Sequence, residues 1–302
     1  MPVIRIKEIH EPDQAALATS AVADTLDHLD KCVLTKQELL LLIGKHRAEW
    51  RILDQVPPKK IIEYLLTTFP LRKVVLNGPG HSQEFTRYLW READPLEVAA
   101  SVRAPNSYLC HSSALFMHGL AENPPEMLCV NYEQSPKSKP QGDLTQASLD
   151  RAFQGKQRQS AFTFRHKKHT IVVLSGKNTG GLEVQSLPIA TGAKVRVTGL
   201  ERTLIDITVR PAYAGGVETV LNAFQRAQGH VSIDKIITTL QHLDYVYPYH
   251  QAIGFYMDRA KYPEHHLARL KGLGMRLDFY LTHGMRTAAY DKSWKLHYPR
   301  NL

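Results

Sequence analysis

Two helix signals followed at once by a hairpin signal place the strongest constraint on the fold of this chain. Thr35 and Glu38 form a capping-box sequence, which predicts a helix that begins there. A Pro-Pro pair then precedes a second run in which apolar residues recur at helical spacing. Alternating side chains next predict two strands, at 72–76 and 84–90, around a Gly-Pro-Gly turn.

Two helices followed by a basic hairpin is the order of elements in a winged helix-turn-helix, which places a helix in the major groove of DNA. Lys59 and Lys60 fall in the first turn of the second helix, the end of a recognition helix that usually meets bases and phosphates. We expect these side chains to contact DNA: Lys45, Arg47, Arg51, Lys59, Lys60, Arg72, Lys73, His81 and Arg87. Solvated lysines and an ordinary structural hairpin are the alternative interpretation.

The distribution of charge favours a polyanionic partner. The 302 residues carry a net charge of +9, with a pI of about 9.4. Positive charge is concentrated in two regions, 34–91 with ten basic and five acidic side chains and 161–302 with nineteen and ten. Two separate basic regions are expected of a protein that contacts phosphates with both of its domains. A basic protein with solvated lysines has the same composition.

Cysteine usage and hydropathy point to the cytoplasm. Cys32, Cys110 and Cys129 are odd in number and widely spaced, which indicates a reducing compartment and neither a disulfide framework nor a zinc ribbon. No apolar run approaches the roughly 20 residues that span a bilayer. The first residues lack the apolar segment of a secretory signal. We therefore expect no membrane partner.

The patterns predict an α+β protein, with an N-terminal winged helix-turn-helix domain followed by a larger mixed α/β domain. Residues 1–33 are expected to form an arm and a helix, 34–92 the winged helix-turn-helix, and 93–302 the C-terminal domain. Within the last, 135–160 is rich in Ser, Pro, Lys, Gln and Gly, which indicates an exposed loop.

Two short segments of the C-terminal domain carry further predictions. Thr198 and Glu201 have capping-box spacing, and Arg202 and Asp206 are four residues apart, so we expect a helix there with a surface ion pair. The basic segment 165–169 is expected to be a loop tip. Its charged side chains form a predicted second phosphate contact: Arg165, Lys167 and Lys168.

Several fragments resemble parts of enzyme motifs but lack residues that those motifs require. Gly176-Lys177-Asn178 lacks the earlier glycine and the Ser or Thr of a phosphate-binding loop. The His pairs at 166 and 169 and at 265 and 266 lack the carboxylate or cysteine partners that would complete a metal site. We expect no catalytic residues, no metal and no cofactor.

Two blocks of the chain resemble the AbiEi antitoxin family. The first is Tyr108…Ser113-Ala114-Leu115…His118-Gly119-Leu120, followed by Pro124-Pro125. The second is the segment 200–206, Leu-Glu-Arg-Thr-Leu-Ile-Asp, with Arg210-Pro211 and Gly215-Gly216 after it. Weaker C-terminal signals are Ile253-Gly254-Phe255-Tyr256-Met257, Leu277-Asp278 and Asp291…Trp294. Together with the winged helix, the resemblance covers about residues 34–300.

The resemblance implies a bacterial antitoxin of a type IV toxin–antitoxin pair. Such a protein binds inverted repeats in its own promoter through the winged helix and represses transcription. Its C-terminal domain is needed for antitoxicity, and it counters a nucleotidyltransferase-like toxin without a stable complex. The 48–57 connection is longer than is usual in the family, so the sequence leaves open which helix reads the groove.

Two other functions compete with this one. The chain could act mainly by binding a protein partner, which would require a sizeable apolar surface patch. It could also be a winged-helix transcription factor that is unrelated to any toxin. A neighbouring gene for a nucleotidyltransferase would favour the antitoxin over a transcription factor that is unrelated to a toxin.

Overall fold

The computed structural model describes residues 12–78, 85–137 and 142–302. The chain is an α+β protein, as predicted. Its elements fall into an N-terminal unit, residues 12–92, and a C-terminal unit, residues 93–302. Among the described residues, no helix is both long and apolar enough to cross a membrane.

The N-terminal unit combines three helices with a three-stranded antiparallel sheet. Its elements are α1 (Pro12–Asp27), β1 (Val33–Thr35), α2 (Lys36–His46), α3 (Pro58–Thr68), β2 (Leu71–Leu76) and β3 (Phe85–Trp90). The strand order is β1-β3-β2. Thr35 caps α2 as the sequence predicts, because its side chain accepts from the Glu38 amide and the Glu38 carboxylate accepts from the Thr35 amide. The order of elements is the one predicted for this stretch; the turn at Pro79-Gly80 lies outside the described residues.

The predicted boundary at 33/34 divides a single core. Val22 and Leu26 of α1 are buried together with Leu39 of α2 and Ile61 of α3. Polar contacts fix the same packing, since the Trp50 indole donates to Thr25 Oγ1 at 3.0 Å. The helix α1 is therefore part of the N-terminal unit rather than a separate segment.

The C-terminal unit is built on a six-stranded mixed sheet with the strand order β6-β7-β5-β4-β9-β8. Its strands are β4 (Ser107–Leu109), β5 (Met127–Glu133), β6 (Thr163–His166), β7 (His169–Gly176), β8 (Val184–Pro188) and β9 (Lys194–Thr198). Three further strands form a small sheet: β10 (Phe279–Tyr280), β11 (Ala288–Asp291) and β12 (Leu296–Pro299).

Helices cover this framework and supply its largest core. They are α4 (Pro95–Ala100), α5 (His111–Met117), α6 (Gln146–Gln154), α7 (Leu200–Val209), α8 (Val217–Ala227), α9 (Ile233–Leu243), α10 (Tyr249–Arg259) and α11 (Glu264–Lys271). Leu204, Phe224 and Phe255 lie at the centre of the core, fully buried. The Trp294 ring occupies the space beside Gly254, where an added Cβ would lie 2.0 Å from it.

A continuous apolar seam joins the two units. Val33, Leu76 and Leu89 of the N-terminal sheet belong to the same buried cluster as Val98 and Leu128. One buried carboxylate reinforces the seam. Glu97 Oε1 in α4 accepts the backbone amides of Cys32, at 2.6 Å, and Val33, at 2.8 Å. The start of β1 is thus held by a helix of the C-terminal unit.

The predicted loop at 135–160 contains a helix, α6, which begins at a capping box of Thr145 and Ser148. Leu149 and Phe153 on one side of α6 are buried in the main core, so the segment is anchored rather than only exposed. Its polar composition concealed the helix, because only these two large apolar side chains face inward and the remaining positions read as a solvated loop.

The predictions for 198–206 were partly wrong. A helix begins there, but its N-cap is Gly199 and makes no side-chain cap bond. Glu201 instead accepts the Ser232 amide of α9 at 3.1 Å. Arg202 and Asp206 do pair, at 2.8 Å, but both are buried, because α9 and α10 pack over α7.

Replacing Glu97 with Gln should reduce the pH dependence of stability. Burial raises the pKa of Glu97 in the folded protein, and it outweighs the opposing hydrogen bonds from the amides of Val33 and Cys32. A carboxyl with a raised folded pKa contributes stability at low pH that is lost as the pH rises through that pKa. We expect the wild-type free energy of unfolding to fall relative to Glu97→Gln as the pH rises from about 4 to 7. Urea unfolding at each pH measures it, with the exposed Glu63→Gln as control; parallel profiles would contradict the expectation.

Breaking the buried Arg202–Asp206 pair should destabilise the C-terminal unit strongly. Arg202→Met leaves the Asp206 carboxylate buried without its partner, at a cost of about 3–5 kcal/mol in the free energy of unfolding. The double variant Arg202→Met/Asp206→Leu should recover much of that loss, because no isolated charge remains. The exposed pair of Arg269 and Asp234 provides the control, and Arg269→Ala should cost less than about 1 kcal/mol. A double variant as unstable as the single one would contradict this account.

Candidate nucleic-acid interface

The first turn of α3 exposes two of the predicted contact residues. Pro58 begins the helix, where its missing amide costs no hydrogen bond. Ile61, Ile62 and Leu65 are buried on one face, and this leaves Lys59 and Lys60 exposed. The first turn therefore places two exposed cations at the positive end of the helix dipole, although the amides of Lys60 and Ile61 already donate to the Pro57 carbonyl.

The connection between α2 and α3 is ordered by a predicted contact residue, Arg47. Its guanidinium donates to the carbonyls of Leu53 (2.8 Å), Asp54 (2.7 Å) and Val56 (2.8 Å). These three bonds fold the long 48–57 connection back onto the end of α2. Three of the five N–H donors of Arg47 are thus used within the protein, and its contact with DNA stays a prediction.

Lys45 and Arg51 flank that connection and are exposed. Arg51 has a left-handed backbone conformation, with φ of 55°, and it follows Trp50, which is buried in the core of the unit. Both side chains are accessible to a ligand. They remain predicted contacts.

The two strands of the wing, β2 and β3, differ in whether their basic side chains are exposed. Arg72 and Lys73 of β2 are exposed, and Arg72 donates to the Arg91 carbonyl at 2.9 Å. His81 lies outside the described residues. Arg87 of β3 is only 6% exposed.

Arg87 is a structural residue: its side chain is buried, whereas the predicted DNA contact requires an exposed one. Its guanidinium donates to Ser101 Oγ (2.9 Å), the Ser101 carbonyl (2.7 Å), the Val102 carbonyl (3.2 Å) and its own neighbour's carbonyl at Thr86 (2.8 Å). The side chain therefore ties β3 to the turn that follows α4. The alternating pattern of the strand could not show this, because the partners are in the other unit.

The second basic patch forms the tip of a tight hairpin between β6 and β7. Arg165, Lys167 and Lys168 are exposed there, and Lys167 has a left-handed φ of 51°. His166 and His169 are buried. The expectation of a tip holds for the turn itself, but the segment also belongs to the six-stranded sheet.

The hairpin tip meets the wing, so the two basic patches that are distant in sequence lie side by side. The Arg165 amide donates to the Asn77 carbonyl at 3.1 Å across an isolated antiparallel bridge. Gly78 lies so close to β6 that an added Cβ would be 2.0 Å from the Thr163 carbonyl oxygen. Only glycine allows this approach of the two backbones.

A cleft of about 640 Å³ runs between these elements. Its charged and polar side chains come from both units: Arg72, Lys73, His166 and Lys167. Its walls are apolar: Leu66, Leu71, Val74 and Leu89. Lys167 Nζ lies 3.6 Å from Glu92, whose side chain is largely exposed. Local sequence patterns do not indicate this cleft, because its two sides are at least 77 residues apart in the chain.

The glycine-rich turn at 176–181 holds an internal carboxylate. Glu133 accepts the amides of Thr179 (2.9 Å), Gly180 (3.0 Å) and Gly181 (3.2 Å) and the phenol of Tyr108 (2.9 Å). Burial opposes ionisation, but these hydrogen bonds outweigh it and lower the pKa of Glu133. The turn is thus occupied by the protein's own anion. Among the described residues, no group of three or more His, Cys, Asp or Glu side chains could hold a metal ion.

Replacing Arg87 should change stability, whereas replacing Arg72 should not. Arg87→Ala leaves the Ser101 and Val102 carbonyls without their donor, and we expect a loss of about 2–3 kcal/mol in the free energy of unfolding. Arg72→Ala, on the exposed strand of the same wing, should change it by less than about 0.5 kcal/mol. Urea denaturation followed by circular dichroism measures both. Equal effects of the two substitutions would contradict the structural role of Arg87.

The fold as a whole is similar to a solved structure described as the crystal structure of RV2827C protein from Mycobacterium tuberculosis. The TM-score is 0.56 at 14% sequence identity, and the match covers 96% of this chain and 92% of that chain. At this identity the likeness concerns the fold alone. No family model matches the chain, and no curated protein matches it significantly. The resemblance to the AbiEi antitoxins therefore stays a prediction.

Proposed function

We propose that this chain binds duplex DNA through a winged helix and represses transcription from its own promoter. The observation that carries the proposal is the exposure of cations on two consecutive elements, Lys59 and Lys60 at the start of α3 and Arg72 and Lys73 on β2. Cations on these elements contact phosphates when a helix enters the major groove. The apolar face of α3 packs on α2 and the sheet, so the helix can present its first turn without exposing its core.

The proposal extends to antitoxicity through the AbiEi resemblance. The chain would repress an operon that it shares with a nucleotidyltransferase-like toxin, by binding inverted repeats as the family does. It would counter that toxin without a stable complex. It would act in the cytoplasm, where the promoter is found, and it requires neither a catalytic step nor a cofactor.

A second candidate function is the binding of a protein partner by the C-terminal unit. Val246 and Leu273 are exposed large apolar side chains, and both line a groove of about 530 Å³. Tyr245, Tyr247 and Tyr249 line the same groove. The lining also contains charged and polar side chains, among them Gln241 and Arg276, so a partner protein would meet a mixed surface with two exposed apolar side chains. It is compatible with DNA binding, since it lies in the other unit.

Specific DNA binding should depend on the lysines of the N-terminal unit. Each phosphate contact that is lost should reduce the slope of log K against log salt by about 0.9. We therefore expect Lys59→Ala/Lys60→Ala to bind its upstream duplex more weakly, with a slope smaller by nearly 2, and to lose its preference over unrelated duplex. Gel shifts at several salt concentrations measure both quantities.

The control variant removes the same charge elsewhere. Lys156 and Lys292 are exposed side chains of the C-terminal unit. Lys156→Ala/Lys292→Ala should leave both the preference and the slope close to those of the wild type. If the wild-type protein binds the upstream duplex and unrelated duplex equally at every salt concentration, the repressor proposal is wrong, and binding of a protein partner becomes the leading candidate.

A further inference from the structure

We propose that the cleft between β2 and the β6–β7 hairpin is a binding site for one phosphate of the DNA backbone, held by Arg72, Lys73, His166 and Lys167. This inference rests on the proposed function and deepens it. It assigns part of the DNA contact to the C-terminal unit, at a defined position beside the wing. It also names a histidine, rather than only lysines and arginines, as a ligand of the phosphate.

The site is preformed because its two sides are joined by backbone and core contacts. The bond from the Arg165 amide to the Asn77 carbonyl and the close approach of Gly78 to Thr163 fix the spacing of the two elements. The Phe85 and Phe164 rings pack edge to face beneath them, with centroids 5.0 Å apart. A phosphate that enters the cleft therefore meets two elements whose spacing is already set, which lowers the entropic cost of binding.

His166 supplies the observation that points to a ligand. Its side chain lines the cleft and is 95% buried, with 5% exposure, yet its Nε2 atom has no hydrogen-bond partner. A buried polar atom without a partner costs free energy, so native proteins seldom leave one unless a ligand or water completes it. A phosphate oxygen is an acceptor that an imidazole N–H can satisfy.

The surrounding charges suit an anion. Lys73 and Lys167 contribute point charges, and Arg72 uses one of its five N–H groups on the Arg91 carbonyl, which leaves others for a ligand. The apolar walls limit screening by water and strengthen these interactions. Glu92 contacts Lys167 at the rim; its exposed carboxylate can swing into solvent when a phosphate takes its place.

Binding at this site should be coupled to uptake of a proton by His166. Burial, and after it the charges of Lys167, His169 and Arg72, lower the pKa of His166 and so favour the neutral imidazole. Lys73 adds a further positive charge and Glu92 a negative one at the rim. A bound phosphate favours the charged imidazole and opposes this shift. The affinity for DNA should therefore rise as the pH falls, by more than in a protein that lacks the histidine.

Three single variants test the site by fluorescence anisotropy on the upstream duplex, from pH 5.5 to 8. His166→Gln keeps a neutral donor but cannot take up a proton, so we expect little change at pH 8 and a loss of about three- to tenfold in affinity at pH 5.5. Lys167→Gln should weaken binding at every pH and lower the salt slope by about 0.9. Lys168→Gln removes an equal charge one residue away, outside the cleft lining, and should have the smaller effect.

The outcomes separate this inference from the proposed function. Equal effects of Lys167→Gln and Lys168→Gln, together with a wild-type pH profile for His166→Gln, would overturn the phosphate site while DNA binding through α3 stands. If wild-type protein binds no duplex, both proposals fail. Thermal unfolding checks that His166→Gln remains folded. If that variant is unfolded, the comparison of Lys167→Gln with Lys168→Gln, both at the exposed hairpin tip, tests the phosphate site.

Inorganic phosphate distinguishes a DNA phosphate from a free anion. For a backbone site, inorganic phosphate at matched ionic strength should weaken DNA binding more than chloride does, in the wild type and not in Lys167→Gln. Inorganic phosphate could instead raise the melting temperature of the wild type while DNA affinity is unchanged both by the added phosphate and by Lys167→Gln. In that case the cleft binds a free anion, and the proposed DNA contact is wrong.

Discussion

The seam between the wing sheet and the six-stranded sheet is the contact on which the rest of the structure depends. Val33, Leu76 and Leu89 are buried against apolar residues of the C-terminal unit, and the Asn77–Arg165 bridge closes one edge of the contact. Full burial of such side chains contributes roughly 1.5–3 kcal/mol each. The position of every cation on the wing relative to the β6–β7 hairpin follows from this seam.

Two buried charged side chains at the seam, Glu97 and Arg87, fix the positions of neighbouring elements. Glu97 holds the amides of Cys32 and Val33, and Arg87 holds the carbonyls of Ser101 and Val102. Each satisfies backbone groups that would otherwise be buried without partners, which explains why a charged residue is tolerated there. Arg47 performs the same task within the 48–57 connection.

Local signals predicted the N-terminal elements, since the capping box at Thr35, the Pro-Pro pair and the period-two alternation each depend on neighbouring residues. Burial depends on distant residues, so the sequence could not separate the buried Arg87 from the exposed Arg72 and Lys73. The cleft could not be predicted for the same reason, since its lining residues come from distant segments. Its two sides meet only because β6 lies at the edge of the large sheet, next to the wing.

The seam also bears on how the two units can work. If residues 1–92 were separated from the rest, Leu76 and Leu89 would face water and the start of β1 would lose the Glu97 carboxylate. The N-terminal unit is thus not built as an independent module on a linker, although its order of elements suggests one. Because the units share a core, the distance between helix α3 and the β6–β7 hairpin is fixed. A ligand that contacts both units must therefore fit the spacing that their shared core sets.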